Sequence, residues 1–275
     1  MEGVALEKHE REKRCFEKTW NYINSKCSIK IQKYIKSVMS IDNYDNIIMS
    51  DSPDLIIINE ENCIGLEHFM TDYCNDGPSN NQSKSRLAEN ELKSIYNEYH
   101  DDEKGIDDSN IQEAADRIQN YMNSVAAIHE TFDYKKYCEA FERGFRKHYK
   151  SLSEYKKNKF LIDRSYKLGF LIEFHCDTLA MRAKYKGSDV SFGTMGSTQF
   201  PLTGDIVDII KQGKDLDFVI VSQYEEGIDY IPKSVWIFEP NRMKESIDIQ
   251  RIKVYDSVYY LKDKINIKLQ RQDKS

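Results

Sequence analysis

The segment from Asn46 to Met70 constrains the fold of this chain more than any other. Asp54-Leu-Ile-Ile-Ile-Asn59 is an apolar run of strand length, the polar turn Glu60-Glu61-Asn62 follows it, and Cys63-Ile-Gly-Leu-Glu-His-Phe-Met70 is a second such run. Two strand-length runs joined by a short polar turn predict a β-hairpin. Upstream, Phe16, Trp20 and Ile23, with Cys15 and Thr19 alongside, have the spacing of one helix face, which predicts a helix from Glu7 to about Ile23. Downstream, residues 75–85 are rich in Asn, Ser, Gly and Pro and read as a loop. A mostly helical block follows, with the stripe Tyr134, Cys138, Phe141, Phe145 and Tyr149. We read residues 79–160 as a helical insertion or subdomain within a single domain spanning 1–275.

Strand signals resume at Lys167 to His175 and are followed by a Gly/Ser/Thr loop from Gly187 to Gly204 and a short helix from about Asp205 to Lys211. Further strands are expected at Asp217 to Gln223, at Ser234 to Phe238, and in the alternating tail from Asp248 to Leu269. Without the insertion the order is helix, three strands, helix, strand. This is an α/β class, with helices layered on a mixed central sheet.

Composition narrows the function classes. A chain of 275 residues with 40% hydrophobic and 12% aromatic content can bury a real core, which excludes wholesale disorder. Twelve Gly and five Pro without a triplet repeat exclude a collagen-like chain. With 31% charged residues and only strand-sized apolar runs, no membrane-spanning helix is expected. The first fourteen residues are charged from Glu7 onward and lack an export signal, so the cytoplasm is the expected compartment. Six cysteines without CxxC or short Cys/His zinc-site spacing read as buried or free thiols.

The net charge of −6 argues against coating nucleic acid by bulk electrostatics, but the charge is uneven. Residues 134–186 hold fourteen Lys and Arg against six Asp and Glu, enough to attract a polyanion. The interleaved Tyr137, Phe145, Tyr149 and Tyr155 either add a stacking surface for bases or form the core stripe beneath a solvated basic face. Serine-hydrolase, HExxH and Rossmann signatures are absent, and the loop Ser191 to Ser197 lacks the Gly-Lys-Ser/Thr of a P-loop.

The chemistry-bearing residues cluster on the hairpin. Asp54 opens one strand and Glu67 lies near the end of the next, so antiparallel pairing brings both carboxylates to one end of the sheet. Two converging acids with room for water can hold a divalent cation such as Mg²⁺ or Mn²⁺, which polarises a phosphoryl oxygen and activates water. Glu12 lies one turn before Phe16 on a core-facing stripe, where a carboxylate needs a cation, a partner or the solvated edge of the stripe. Glu173 and His175 share one face of their strand, and Asp163 with Glu173-Phe174-His175 imitates the hairpin pattern. Glu173 is thus a further candidate metal ligand, or else a salt-bridged strand residue. His68, by alternation, points away from Glu67 and reads as a packed or hydrogen-bonded histidine.

Pro53-Asp54 and Glu67-His68-Phe69, with twelve residues between the acids, resemble the signature of the PD-(D/E)XK superfamily of restriction-endonuclease-like nucleases. That signature is Pro-Asp, a variable gap, then acid-X-Lys on the adjacent strand. The element order also resembles the superfamily core over roughly 7–72 and 165–240. The resemblance implies a metal-dependent nuclease acting on DNA or RNA, with Asp54 and Glu67 as catalytic acids and metal ligands, Mg²⁺ or Mn²⁺ as cofactor, and an acid from the first helix, here Glu12.

One departure stands out: Phe69 occupies the position of the family's lysine. Either another residue substitutes, with Lys84 and Lys211 as candidates, or the chain is a nuclease-like scaffold that no longer cleaves and binds nucleic acid or protein. The helical insertion is compatible with a protein partner or a homodimer in both cases.

Overall fold

The computed structural model describes residues 2–44, 46–59, 62–72, 94–95, 111–130, 133–162, 165–175, 181–191, 201–224 and 231–260. Helix α1 (Glu2–Lys26) extends the expected helix at both ends. Its apolar stripe, Cys15, Phe16, Trp20 and Ile23, is buried, as are the polar Glu12 and Thr19 on the same side. Helix α2 (Ile29–Met39) follows; its N-cap Ser28 accepts a hydrogen bond from the Ile31 amide, and its C-cap Ser40 takes a left-handed conformation (φ 60°) that ends it.

The expected hairpin is part of a three-stranded meander: β1 (Asn46–Met49), β2 (Leu55–Ile58) and β3 (Cys63–Asp72). Strands β1 and β2, and β2 and β3, pair antiparallel. Strand β4 (Tyr166–His175) joins β3 in parallel, β7 (Phe218–Tyr224) joins β4 in parallel, and β8 (Pro232–Phe238) closes the far edge antiparallel to β7. The result is a mixed six-stranded sheet ordered β1-β2-β3-β4-β7-β8. Parallel neighbours need crossover connections, and helices supply them.

Both faces of this sheet are covered. On one face α1 and α2 pack over Leu55, Leu66, Leu171, Phe218 and Ile220. On the other lie α4 (Tyr134–Tyr149) and α6 (Gly204–Lys211), over Ile56, Phe69, Phe170, Ile172 and Val219. Strand alternation sorts the residues: His68 faces α1 with Leu66, whereas Glu67 faces α4 with Phe69. Among the described residues, helices α3 (Ile111–Glu130) and α5 (Leu152–Tyr155) also lie between β3 and β4.

Of the 79–160 block, α4 lays its stripe of Tyr137, Phe141 and Phe145 directly on the sheet, through ring contacts of Phe145 with Phe170 and of Tyr137 with Phe174. Its aromatics therefore form core, while Lys135, Lys136 and Lys147 stay exposed or at the rim. Of the two readings of these rings, Tyr137 and Phe145 take the core one, because burying them removes more apolar area from water than exposing them would.

Two features depart from the sequence reading. The tail expected as strand from Asp248 has its first residues in helix α7 (Met243–Gln250); a strand follows at β9 (Ser257–Tyr260), and Ile265, Ile267 and Leu269 lie outside the described residues. The Gln250 amide exchanges hydrogen bonds with the Ile237 backbone, tying α7 to β8. Strand β9 pairs with β5 (Met181–Tyr185), which pairs with β6 (Ser188–Ser191), making a second, three-stranded antiparallel sheet where a loop is expected from Gly187. Among the described residues no helix is long and apolar enough to cross a membrane.

Candidate functional site

The β2–β3 register sets Leu55 opposite Leu66, and continuing it one step sets Asp54 opposite Glu67. Both acids are buried, and the Glu67 charge raises the cost of ionising Asp54. Burial first, and then the Glu67 carboxylate, pushes the Asp54 pKa above its ordinary value, against the backbone N–H of His68 and the Lys8 ammonium, which favour the carboxylate. The His68 amide donates to Asp54 Oδ2 at 2.9 Å, and Lys8 Nζ donates to Asp54 Oδ1 at 3.0 Å.

Lys8 comes from α1, one turn before Glu12, and lies 3.3 Å from Glu12 Oε1. The expected first-helix acid thus reaches the Asp54 end of the sheet with a lysine between them. Burial, and then the Asp54 charge, raises the Glu12 pKa, so Lys8 offsets mutual repulsion among the acids rather than pairing with one alone.

On the α4 side, His148 Nδ1 lies 2.7 Å from Glu67 Oε1. The His148 ring stacks on Phe69, with centroids 4.6 Å apart and planes 4° from parallel. Phe69 is therefore a packing platform that orients a histidine against Glu67, and α4 approaches closely there because Gly144 sits over the Phe69 ring. Tyr155 also faces Glu67: burial first, and then the Glu67 charge, drives its hydroxyl pKa up. Among the described residues Glu67 Oε2 and Glu12 Oε2 are buried without a hydrogen bond, with His9 Nδ1 3.4 Å from Glu12 Oε2. Buried carboxylate oxygens left this way suit a hard divalent cation, so these residues fit Mg²⁺ or Mn²⁺.

Glu173 is not part of this group. It lies on the opposite face of the sheet, fully buried, with His68 Nε2 2.8 Å from Oε2 and His175 Nε2 2.6 Å from Oε1. Burial would raise its pKa, but hydrogen bonds from His175 and His68 and their charges outweigh that and hold it well below the usual carboxylate range. Burial likewise works against His68, yet the Cys15 sulfur and then Glu173 raise its pKa to about 10. Among the described residues only Cys15, His68 and Glu173 form a group of three His, Cys, Asp or Glu ligand atoms all within 4.8 Å of one another. The three acids Asp54, Glu67 and Glu12 do not form such a group.

Lys211, a candidate for the missing lysine, is exposed on α6 and pairs with Asp208 at 3.2 Å, away from the acids. Lys84 and Asp163, together with the loop from residue 192 to 197, lie outside the described residues. The sequence reading missed Lys8 and His148. Lys8 carried one signal, its i, i+4 spacing to Glu12; His148 carried none, since only the docking of α4 brings it to Glu67. No family model, curated protein or solved structure matches this chain.

Proposed function

We propose that this chain is a metal-dependent nuclease that hydrolyses phosphodiester bonds in DNA or RNA at the Asp54–Glu67 end of the central sheet. The observation that carries this reading is the delivery of Lys8 to within 3.0 Å of Asp54, beside Glu12, where the strand position of a catalytic lysine holds Phe69 instead. The order of elements and the antiparallel pairing of the two acid-bearing strands also support it.

In this reading Asp54 and Glu67 hold the cation and Glu12 contributes a further carboxylate at its edge. The divalent ion, when bound, supplies Lewis-acid polarisation of the phosphoryl group. The chain's own groups do the rest. Lys8, 57% exposed at its side chain, is positioned to meet a phosphate from the solvent side and to stabilise negative charge as it builds there. His148 fixes the orientation of Glu67 through Oε1 and leaves Oε2 available. The exposed lysines of α4 provide a sequence-independent attraction for the phosphate backbone.

A second reading has its own support: Phe69 and His148 fill the lysine position with a packed pair, as expected of a nuclease-like scaffold that binds without cleaving. The two are separated by incubating single- and double-stranded DNA and RNA with Mg²⁺ or Mn²⁺, beside EDTA and the variants Asp54→Asn and Glu67→Gln. Cutting that needs metal and both acids is the expected result. A folded wild-type protein that cuts nothing on the panel, and takes up no Mn²⁺ in calorimetry, favours the scaffold.

A further inference from the structure

The second cluster of ligand-type side chains lies on the other face of the sheet, and the proposed nuclease chemistry does not use it. Cys15 on α1, His68 on β3 and Glu173 on β4 bring sulfur, nitrogen and oxygen ligand atoms within 4.8 Å of one another. All three side chains are buried, with Cys15 and Glu173 at 0% exposure. We infer that Cys15, His68 and Glu173 form a zinc site that fastens α1 to the centre of the sheet.

Four lines of physical chemistry support it. The donor set is the borderline-soft mixture that Zn²⁺ takes, thiolate, imidazole and carboxylate. The spacing is close to it: the edges of a tetrahedron with metal–ligand distances of about 2.0–2.3 Å are roughly 3.5 Å long, so within a cluster whose ligand atoms all lie within 4.8 Å the His68 Nε2–Glu173 Oε2 pair, now 2.8 Å apart, opens by less than an ångström to admit the ion. Charge closes as well: a thiolate and a carboxylate together neutralise a divalent ion, so no net charge is buried.

The surroundings are also those of a metal centre. His175 Nε2 holds the far oxygen of Glu173 at 2.6 Å, and the Tyr224 hydroxyl lies 3.5 Å from Cys15 Sγ, so partners around the ligands fix two of them. The same three residue types could instead make a nucleophile, base and orienting acid, but a thiol with no exposed surface beneath α1 cannot meet a substrate. A buried ion that folds in with the chain has no such requirement.

The site would have a consequence for the opposite face without being part of it. His68 supplies the backbone N–H that holds Asp54, and α1 carries both Lys8 and Glu12. An ion joining α1, β3 and β4 therefore fixes the position of three groups at the Asp54–Glu67 end.

The test uses the full chain, produced with added zinc and purified without chelators. Elemental analysis is expected to give about one zinc per chain that survives dialysis, as a structural site should. Replacement by Co²⁺ is expected to give the intense thiolate-to-cobalt absorption together with the visible bands of a tetrahedral ion, and Cys15→Ser should remove the thiolate band. Asp54→Asn and Glu67→Gln should leave zinc content unchanged, which separates this site from the proposed nuclease centre. A folded wild-type chain with neither zinc nor a thiolate–cobalt band overturns the inference, as does a band that persists in Cys15→Ser. Should Cys15→Ser fail to fold, Glu173→Gln serves in its place: the zinc affinity is expected to fall at least tenfold, and unchanged affinity overturns the site.

Discussion

Lys8 is the residue on which the catalytic reading turns, and Lys8→Met tests it most directly because the change keeps the aliphatic length and removes the charge. At 3.0 Å from Asp54 the bare attraction is about 1.4 kcal/mol in the dielectric of water and about 5.5 kcal/mol at an effective dielectric of 20. The Lys8 side chain is 57% exposed, so solvent already screens much of this, and the net contribution to folding falls to about 1 kcal/mol. For a chain of this size that corresponds to a drop of roughly 2–4 °C in Tm.

The expected effect on catalysis is much larger. If the ammonium stabilises charge developing on the phosphate, its loss should lower kcat by about 10²–10³-fold, the magnitude found when one preorganised donor is removed. Lys8→Arg, which keeps the charge, should retain more activity than Lys8→Met. The assay is cleavage rate on the best substrate of the nucleic-acid panel, run beside a thermal melt of the same samples. A Lys8→Met protein that cleaves within about threefold of wild type would refute the assigned role. So would a loss of activity accompanied by an equally severe loss of Tm, because the lysine would then act only through folding.

Two further substitutions probe the structure around the site. Restoring the family's signature with Phe69→Lys should not raise cleavage; it removes the ring that His148 stacks on and buries an ammonium, so a loss of about 3–5 kcal/mol in urea unfolding is expected, and a faster enzyme would contradict the packing role of Phe69. At Gly169, opposite Phe218 in the β4–β7 register, an added Cβ would overlap the Phe218 ring; Gly169→Ala should cost about 1–3 kcal/mol in the same measurement, and a neutral result would mean that β4 and β7 are paired differently.

Local pattern determined a good part of this protein. The alternation along Cys63 to Met70 settled that Glu67 and His68 face opposite ways, since a strand's period of two leaves no other choice. The short polar segment Glu60-Glu61-Asn62 between the two apolar runs made the strands neighbours, and with antiparallel pairing that put Asp54 across from Glu67. The helical spacing of Cys15, Phe16, Thr19 and Trp20 likewise put Glu12 on the buried side of α1. Each of these follows from geometry within a few residues along the chain.

What only the tertiary structure decided involves residues far apart in sequence. Glu173 had the same local pattern as Glu67, yet the parallel pairing of β3 with β4 put its face under α1, beside His68 and Cys15. Lys8 reached Asp54 across forty-six positions, and His148 reached Glu67 across eighty-one, because α1 and α4 dock on opposite faces of one sheet. The alternating Ile252 and Val254 lie outside any strand, between α7, whose Gln250 amide satisfies the β8 backbone, and β9. Such outcomes depend on which buried surface and hydrogen bonds the whole chain can satisfy at once, and no window of sequence contains that sum.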